Sequence, residues 1–142
     1  MSDDKSVSSA STTQSIAVSA LRAQQARMRI IAENMANANS TSKVAGGDPY
    51  RRQAPVFQAA TVAGGGKGVK MMRAEPDRAP FNSTFDPNNP SADATGYVKT
   101  PNVDPLIEAM DMRDAQRAYE ANLNVIEASR SMDQRTLDLL KQ

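Results

Sequence analysis

Glu108, Asp111 and Asp114 follow one another at steps of three. Carboxylates brought together in this way can act as general acid and base. Acidic residues also complement the macrodipole at the start of a helix, and that account needs no substrate. It is the preferred one, because nothing nearby completes a catalytic set. The run "GGGKG", Gly64 to Gly68, invites a phosphate-loop reading. The Walker pattern requires a glycine where this chain has Thr61, and Ser or Thr where it has Gly68. The run therefore reads as a flexible turn. A calcium loop starting at Asp86 would need Gly where Ser91 stands and Glu where Tyr97 stands, and Pro90 falls on a ligand position. "DPNNPSADATGY" is thus a turn-rich surface segment. The chain has neither His nor Cys. That removes Ser-His-Asp triads, cysteine nucleophiles, zinc sites of Cys or Cys/His type, and disulfides. No catalytic, cofactor-binding or metal site is expected.

Composition narrows the field further. The chain has 142 residues, enough for one ordinary domain. Lys plus Arg number 17 against 16 Asp plus Glu, so the near-neutral charge argues against phosphate-driven nucleic-acid binding and against a polybasic membrane-surface protein. Aromatics are only 4%, so burial must rely on Ala, Met, Leu, Ile and Val. No apolar run approaches the roughly 20 residues of a membrane span. The leader "MSDDKSVSSASTTQ" lacks the features of a cleavable signal and reads as a disordered Ser/Thr-rich tail over residues 1–15.

Two helical patterns would have to position whatever interface the chain has. The first runs from about Ile16 to Asn37, with Ala17, Leu21, Met28, Ile31, Met35 and Ala38 at alternating steps of four and three, and Gln24 in the gap. The second starts at Asp104-Pro105, a helix-start signal. Met110, Ala118, Ala121, Val125, Ala128, Met132 and Leu139 share one side of it. Ala115, Tyr119, Leu123, Ile126, Leu137 and Leu140 widen that side, while Arg113, Glu120, Glu127 and Asp138 fall on the polar remainder. So wide an apolar arc needs more than one neighbour, and a chain this short must find some of them in other chains. Between the helices, "RRQAPVFQAATV" and "VKMMRA" read as two short strands joined through the glycine run. The segment from Ala79 to Pro105 reads as turns and extended chain, with a brief strand at Tyr97-Val98. The expected fold class is mainly α with a small β insert. Long N- and C-terminal helices, 16–40 and 104–142, pair as an antiparallel coiled coil, and a Gly/Pro-rich middle, 41–103, holds a short β-hairpin and extended segments.

Three asparagines, Asn34, Asn37 and Asn39, crowd the end of the first helix although Asn is a poor helix former. Asn39 suits a left-handed cap. Asn34 and Asn37 fall off the stripe centred on Met28. Either they belong to a plain polar face, or their amides hydrogen-bond a neighbouring subunit, where Ala32, Ala36 and Ala38 keep the helix slim.

"SALRAQQARMRIIAENMANANST", Ser19 to Thr41, resembles the N-terminal motif of flagellar axial proteins of the rod and hook class. "DPNNPSADATGYVKTPNVDP", Asp86 to Pro105, and "RDAQRAYEANLNVIEASRSMDQRTLDLL", Arg113 to Leu140, are similar to the proximal rod branch of that class. The chain departs from it at Asn88-Asn89, where Gly-His is the expected pair, and in its longer leader. The resemblance implies a structural subunit of the bacterial flagellar basal body, in the torque-transmitting proximal rod of the periplasm. It implies export through the flagellar type III apparatus without a cleaved signal peptide, and no cofactor. The implied partners are other copies of the chain, proximal and distal rod proteins, and the junction protein between rod and export gate. The expected helix-pairing and assembly interface comprises Leu21, Met28, Ile31, Asn34, Met35 and Asn37 on the first helix. On the second it comprises Tyr119, Leu123, Val125, Ile126, Met132 and Leu139. A coiled-coil adaptor that does not polymerise is the competing reading, though it gives the Pro/Asn-rich middle no role.

Overall fold

A computed structural model describes residues 3–141. The elements run α1 (Asp3–Ala36), β1 (Gln53–Thr61), β2 (Lys67–Pro76), β3 (Asn82–Phe85), β4 (Tyr97–Thr100) and α2 (Pro105–Leu140). The chain is therefore mainly helical, with two long helices and a small β insert, as its periodicity predicts.

Helix α1 starts earlier than expected. Residues 3–15, read from composition as a disordered leader, are helical. No Gly or Pro interrupts them, and Ser hydroxyls can be satisfied on the helix itself: Ser15 Oγ donates to the Ser11 carbonyl at 2.9 Å and Ser19 Oγ to that of Ile16 at 2.7 Å. At its other end α1 tightens into shorter-range bonds. Asn37 N–H is shared between the carbonyls of Glu33 and Asn34, and Ala38 N–H donates to Met35. The left-handed cap expected at Asn39 does not form, since no described residue other than glycine has positive φ. Helix α2 starts as expected, with Asp104 Oδ1 accepting the N–H groups of Leu106 at 2.9 Å and Ile107 at 3.4 Å.

The chain divides into two compact units, and each long helix contributes to both. One unit holds α1 up to Arg27, Val56–Arg73 of the hairpin and α2 from Asp114. Within it Ala17, Ala23, Ala115 and Ile126 are buried. Gln14 Nε2 donates to Ser129 Oγ at 3.3 Å and to Asp133 Oδ2 at 3.0 Å. The glycine run is not a loose loop. A Cβ on Gly64 would lie 2.3 Å from Thr12 Oγ1, one on Gly66 2.6 Å from Thr12 Cγ2, and one on Gly68 2.3 Å from Ser19 Oγ. Val69 N–H also donates to Ser19 Oγ at 3.1 Å. The glycines let the hairpin tip press onto α1, a close approach that a reading of local flexibility misses.

The other unit holds Met28–Pro55 and Ala74–Arg113. Strand β3 pairs antiparallel with β4 in the register Asn82↔Thr100, Ser83↔Lys99, Thr84↔Val98 and Phe85↔Tyr97. Strand β3 lies in the stretch expected to be turns and extended chain. Its short, fully exposed sequence "NSTF" carries no alternation that would reveal it. Phe85 and Tyr97 meet edge to face, with ring centroids 5.2 Å apart. Gly96, at φ +84°, turns the chain into β4, where a Cβ would lie 2.9 Å from the Phe85 ring. Ile30, Ile31, Val98, Pro101 and Val103 form the apolar part of this unit's interior.

Candidate assembly interface

At about 100° per residue, α2 presents three faces. The buried one carries Glu108, Ala115, Ile126 and Ser129, with Tyr119 half-buried beside them. A polar one carries Arg113, Gln116, Glu120, Asn124, Glu127, Ser131 and Asp138, all exposed. Between them runs an apolar stripe of Met110, Ala121, Val125, Ala128, Met132 and Leu139, every one exposed; Met132 retains 68% and Leu139 73% of its accessible surface. The wide arc read from the sequence is thus two surfaces. Of the six α2 residues expected at the interface, Ile126 and Tyr119 turn inward within the chain. Val125, Met132 and Leu139 turn outward together, and Leu123 is exposed at the margin. Single exposed apolar residues are ordinary, but a file of them along one helix is not.

Among the described side chains of α1, Ala17, Ala23, Ile30, Ile31 and Asn34 are buried. Leu21 and Met28 are half-buried and Met35 is exposed. The expected stripe captures only part of the covered surface, because the hairpin occupies a second side of α1, through Ile16 and Ser19. A sequence scan seeking one partner per helix does not anticipate this.

Asn34 is the clearest departure. It is 1% exposed, and its amide makes four bonds within the chain. Nδ2 donates to the Gln53 carbonyl at 2.8 Å and to Glu108 Oε2 at 3.3 Å. Oδ1 accepts from Tyr50 Oη at 2.8 Å and Gln53 N–H at 2.9 Å. That is the full capacity of an amide. Asn34 therefore bonds neither a polar surface nor a neighbouring subunit. Asn37 is half-buried and donates to the Glu33 carbonyl at 2.8 Å.

Glu108, fully buried, is the second residue whose role the sequence misassigns. It lies in the first turn of α2, where an acid does suit the macrodipole. Its principal partner is Arg52, whose Nε donates to Oε1 in a short charge-assisted bond. Arg52 also meets Asp77 and Asp111, each at 3.5 Å. Burial opposes the Arg52 charge, but the bond to Glu108 and the three surrounding carboxylates outweigh it and raise its pKa above the ordinary value. The Tyr50 hydroxyl is likewise pushed up, by burial first and then by Glu33 and Glu108, which keeps it a donor. Asp114 stays on the surface, paired with Arg117 at 2.6 Å. The carboxylates expected to lie together are thus split, one to the interior, one to its margin and one to solvent. A signal did exist: Glu108 shares its helix face with Ala115 and Ile126, at steps of seven and eleven. Among the described residues no group of three or more acidic side chains could hold a metal ion. No helix there is long and apolar enough to cross a membrane.

Comparison with known proteins agrees with the two helix-bearing ends. Residues 15–42 match the family described as flagella basal body rod protein. Residues 94–139 match the flagellar basal body rod FlgEFG protein C-terminal family. The chain is 46% identical to the flagellar basal-body rod protein FlgC of Agrobacterium fabrum, over 92% of this chain and 95% of that one. It is 42% identical to the FlgC of Salmonella typhimurium, over 87% and 92%. It is 36% identical to that of Bacillus subtilis, over 89% and 95%. With identity this high across nearly the whole length of each, the chain belongs to the FlgC family of flagellar basal-body rod proteins.

Proposed function

We propose that this chain polymerises through its terminal helices to form part of the proximal, torque-transmitting rod. Membership of the family makes it a structural component of the flagellar basal body that assembles with other rod proteins, and not an enzyme. The observation that carries the further step is the outward stripe of α2, Val125, Ala128, Met132 and Leu139, left without cover in the single chain. Covering such a stripe is what an axial polymer offers its subunits. Antiparallel coiled-coil pairing of α1 with α2 belongs to the same reading. It is supported by Gln14 bonding Ser129 and Asp133 in one unit, and by Asn34 bonding Glu108 in the other.

The paired helices are the inner part of the subunit in this reading, and the insert over 41–103 lies outside them. Neighbours are further copies, other proximal and distal rod proteins and the junction to the export gate. The chain reaches the periplasm through the flagellar type III apparatus without a cleaved signal peptide. The exposed far end of α2 orders fully only on assembly. Deleting the gene and restoring it with a tagged copy tests this. The tagged chain should be recovered in isolated basal bodies, and the deletion should leave no rod. Intact rods without the chain would reject the reading.

A further inference from the structure

We propose a second contact between copies of this chain, in which Arg22 and Arg29 on α1 of one copy pair with Glu127 and Glu120 on α2 of the next. The proposal rests on the reading that the chain polymerises through its terminal helices, and on their antiparallel pairing.

Both rows of charge lie on faces that nothing within the chain covers. At about 100° per residue, the buried side chains Ala23, Ile30, Ile31 and Asn34 occupy one side of α1. Arg22, Gln25, Arg29 and Ala36 fall on the other side, and all four are exposed. On α2, Glu120 and Glu127 are exposed on the polar face, about a third of a turn round from the outward apolar stripe. They therefore face a neighbour other than the one that covers the stripe. Among the described residues, Arg22, Arg29, Glu120 and Glu127 take no ion pair and no side-chain hydrogen bond.

Sign and spacing set these rows apart from an ordinary solvated face, which mixes both charges. From Ser6 to Ala32 the only charged residues are Arg22, Arg27 and Arg29. Arg27 is half-buried and has contacts of its own. Between Arg117 and Arg130 the only charged residues are Glu120 and Glu127. Each row has a spacing of seven residues, which is about 10.5 Å along a helix, so the two match charge for charge. Copies joined head to tail all point the same way. With α1 and α2 antiparallel in each chain, α1 of one copy meets α2 of the next antiparallel as well. That order brings Arg22 to Glu127 and Arg29 to Glu120. It sets Ser15 against Gln134 and Ala36 against Arg113, and it brings Glu33 within a turn of Arg113 and Arg117. No like charges are opposed. Exposed ion pairs add little affinity, but like charges face to face exclude wrong partners and wrong registers. The rows thus select which face of the next copy is met.

The test uses the full-length chain as the only copy in the cell. Reversing one row, by Arg22→Glu with Arg29→Glu, or the other, by Glu120→Arg with Glu127→Arg, should leave export unchanged. Either should lower the fraction of basal bodies with a complete rod at least about tenfold. All four reversals together should restore that fraction to within about twofold of the parent. A second measurement does not depend on how well the reversed chains fold. The chain has no cysteine. Arg22→Cys with Glu127→Cys, oxidised in isolated basal bodies, should give disulfide-linked copies of the chain. Arg22→Cys with Glu120→Cys should give at least about tenfold fewer, because that pair is out of register by two helical turns. Complete rods with either row reversed overturn the pairing. So do four reversals that fail to restore rods, or an Arg22–Glu127 cysteine pair that stays unlinked. Deleting the gene separates the two levels of failure. Intact rods without the chain reject the polymer reading, whereas rods that need the chain but tolerate the reversals reject the pairing alone.

Discussion

Glu108→Gln is the most informative single substitution. It keeps the side chain's size and leaves an oxygen to accept from Asn34, but removes the charge opposite Arg52. The Glu108 side chain is 0% exposed and that of Arg52 21%. Removing one partner of a buried pair costs about 3–5 kcal/mol, because the other charge is left uncompensated. Arg52 keeps Asp77 and Asp111 at 3.5 Å and some contact with water, which places the cost at the lower end, about 3 kcal/mol. Against a total stability of about 5–15 kcal/mol this is a large loss. For a chain of this size it lowers the thermal midpoint by roughly 10 °C. Heat and urea unfolding followed by far-ultraviolet circular dichroism and by tyrosine fluorescence would measure it. The chain has three tyrosines and no tryptophan, and Tyr50 donates to Asn34, which in turn bonds Glu108. Asp111→Asn is the control: its side chain is 34% exposed, so its pair with Arg52 contributes less than about 1 kcal/mol. A Glu108→Gln protein within about 1 kcal/mol of the parent would refute the reasoning, as would an Asp111→Asn protein equally damaged.

Two further outcomes follow from the turns. Gly64→Ala should cost more than Gly65→Ala in the same unfolding assay, by about 1 kcal/mol or more, because both residues have positive φ but only the Gly64 Cβ meets Thr12. Asp93 accepts from the Thr95 hydroxyl and the backbone N–H of Tyr97, which hold its pKa below the ordinary 3.8. Its support for the turn is therefore complete above pH 3.8 and is lost as pH falls through the lowered value. Protection of the Thr95 and Tyr97 amides, taken relative to their intrinsic exchange rates, should fall selectively in that acid range and hold above it.

The long helices were legible because they depend on local signals: an unbroken run without Gly or Pro, a 3.6-residue period, and an Asp-Pro start. The hairpin was legible from the short runs around Val56-Phe57 and Val69 on either side of a glycine run, and β4 from Tyr97-Val98. What the sequence hid depends on contacts distant along the chain. Asn34 looks like an ordinary surface amide until Tyr50, Gln53 and Glu108 are brought to it. The glycine run looks loose until Thr12 and Ser19 are seen against it. Helical periodicity gave the width of the α2 apolar arc, but not which edge is covered within the chain. That depends on where α1 lies, and it separates Ile126 from Val125 although they are adjacent.

If the outward stripe of α2 is an assembly surface, charge placed on it must block assembly. Val125→Glu with Met132→Glu changes two exposed side chains and should leave the fold of the single chain intact. The measurement is the fraction of basal bodies carrying a complete rod, by electron microscopy, in cells whose only copy carries both changes, with the exported chain quantified alongside. Normal export with rods that are absent or truncated is the expected result. Complete rods at the parental frequency would contradict it.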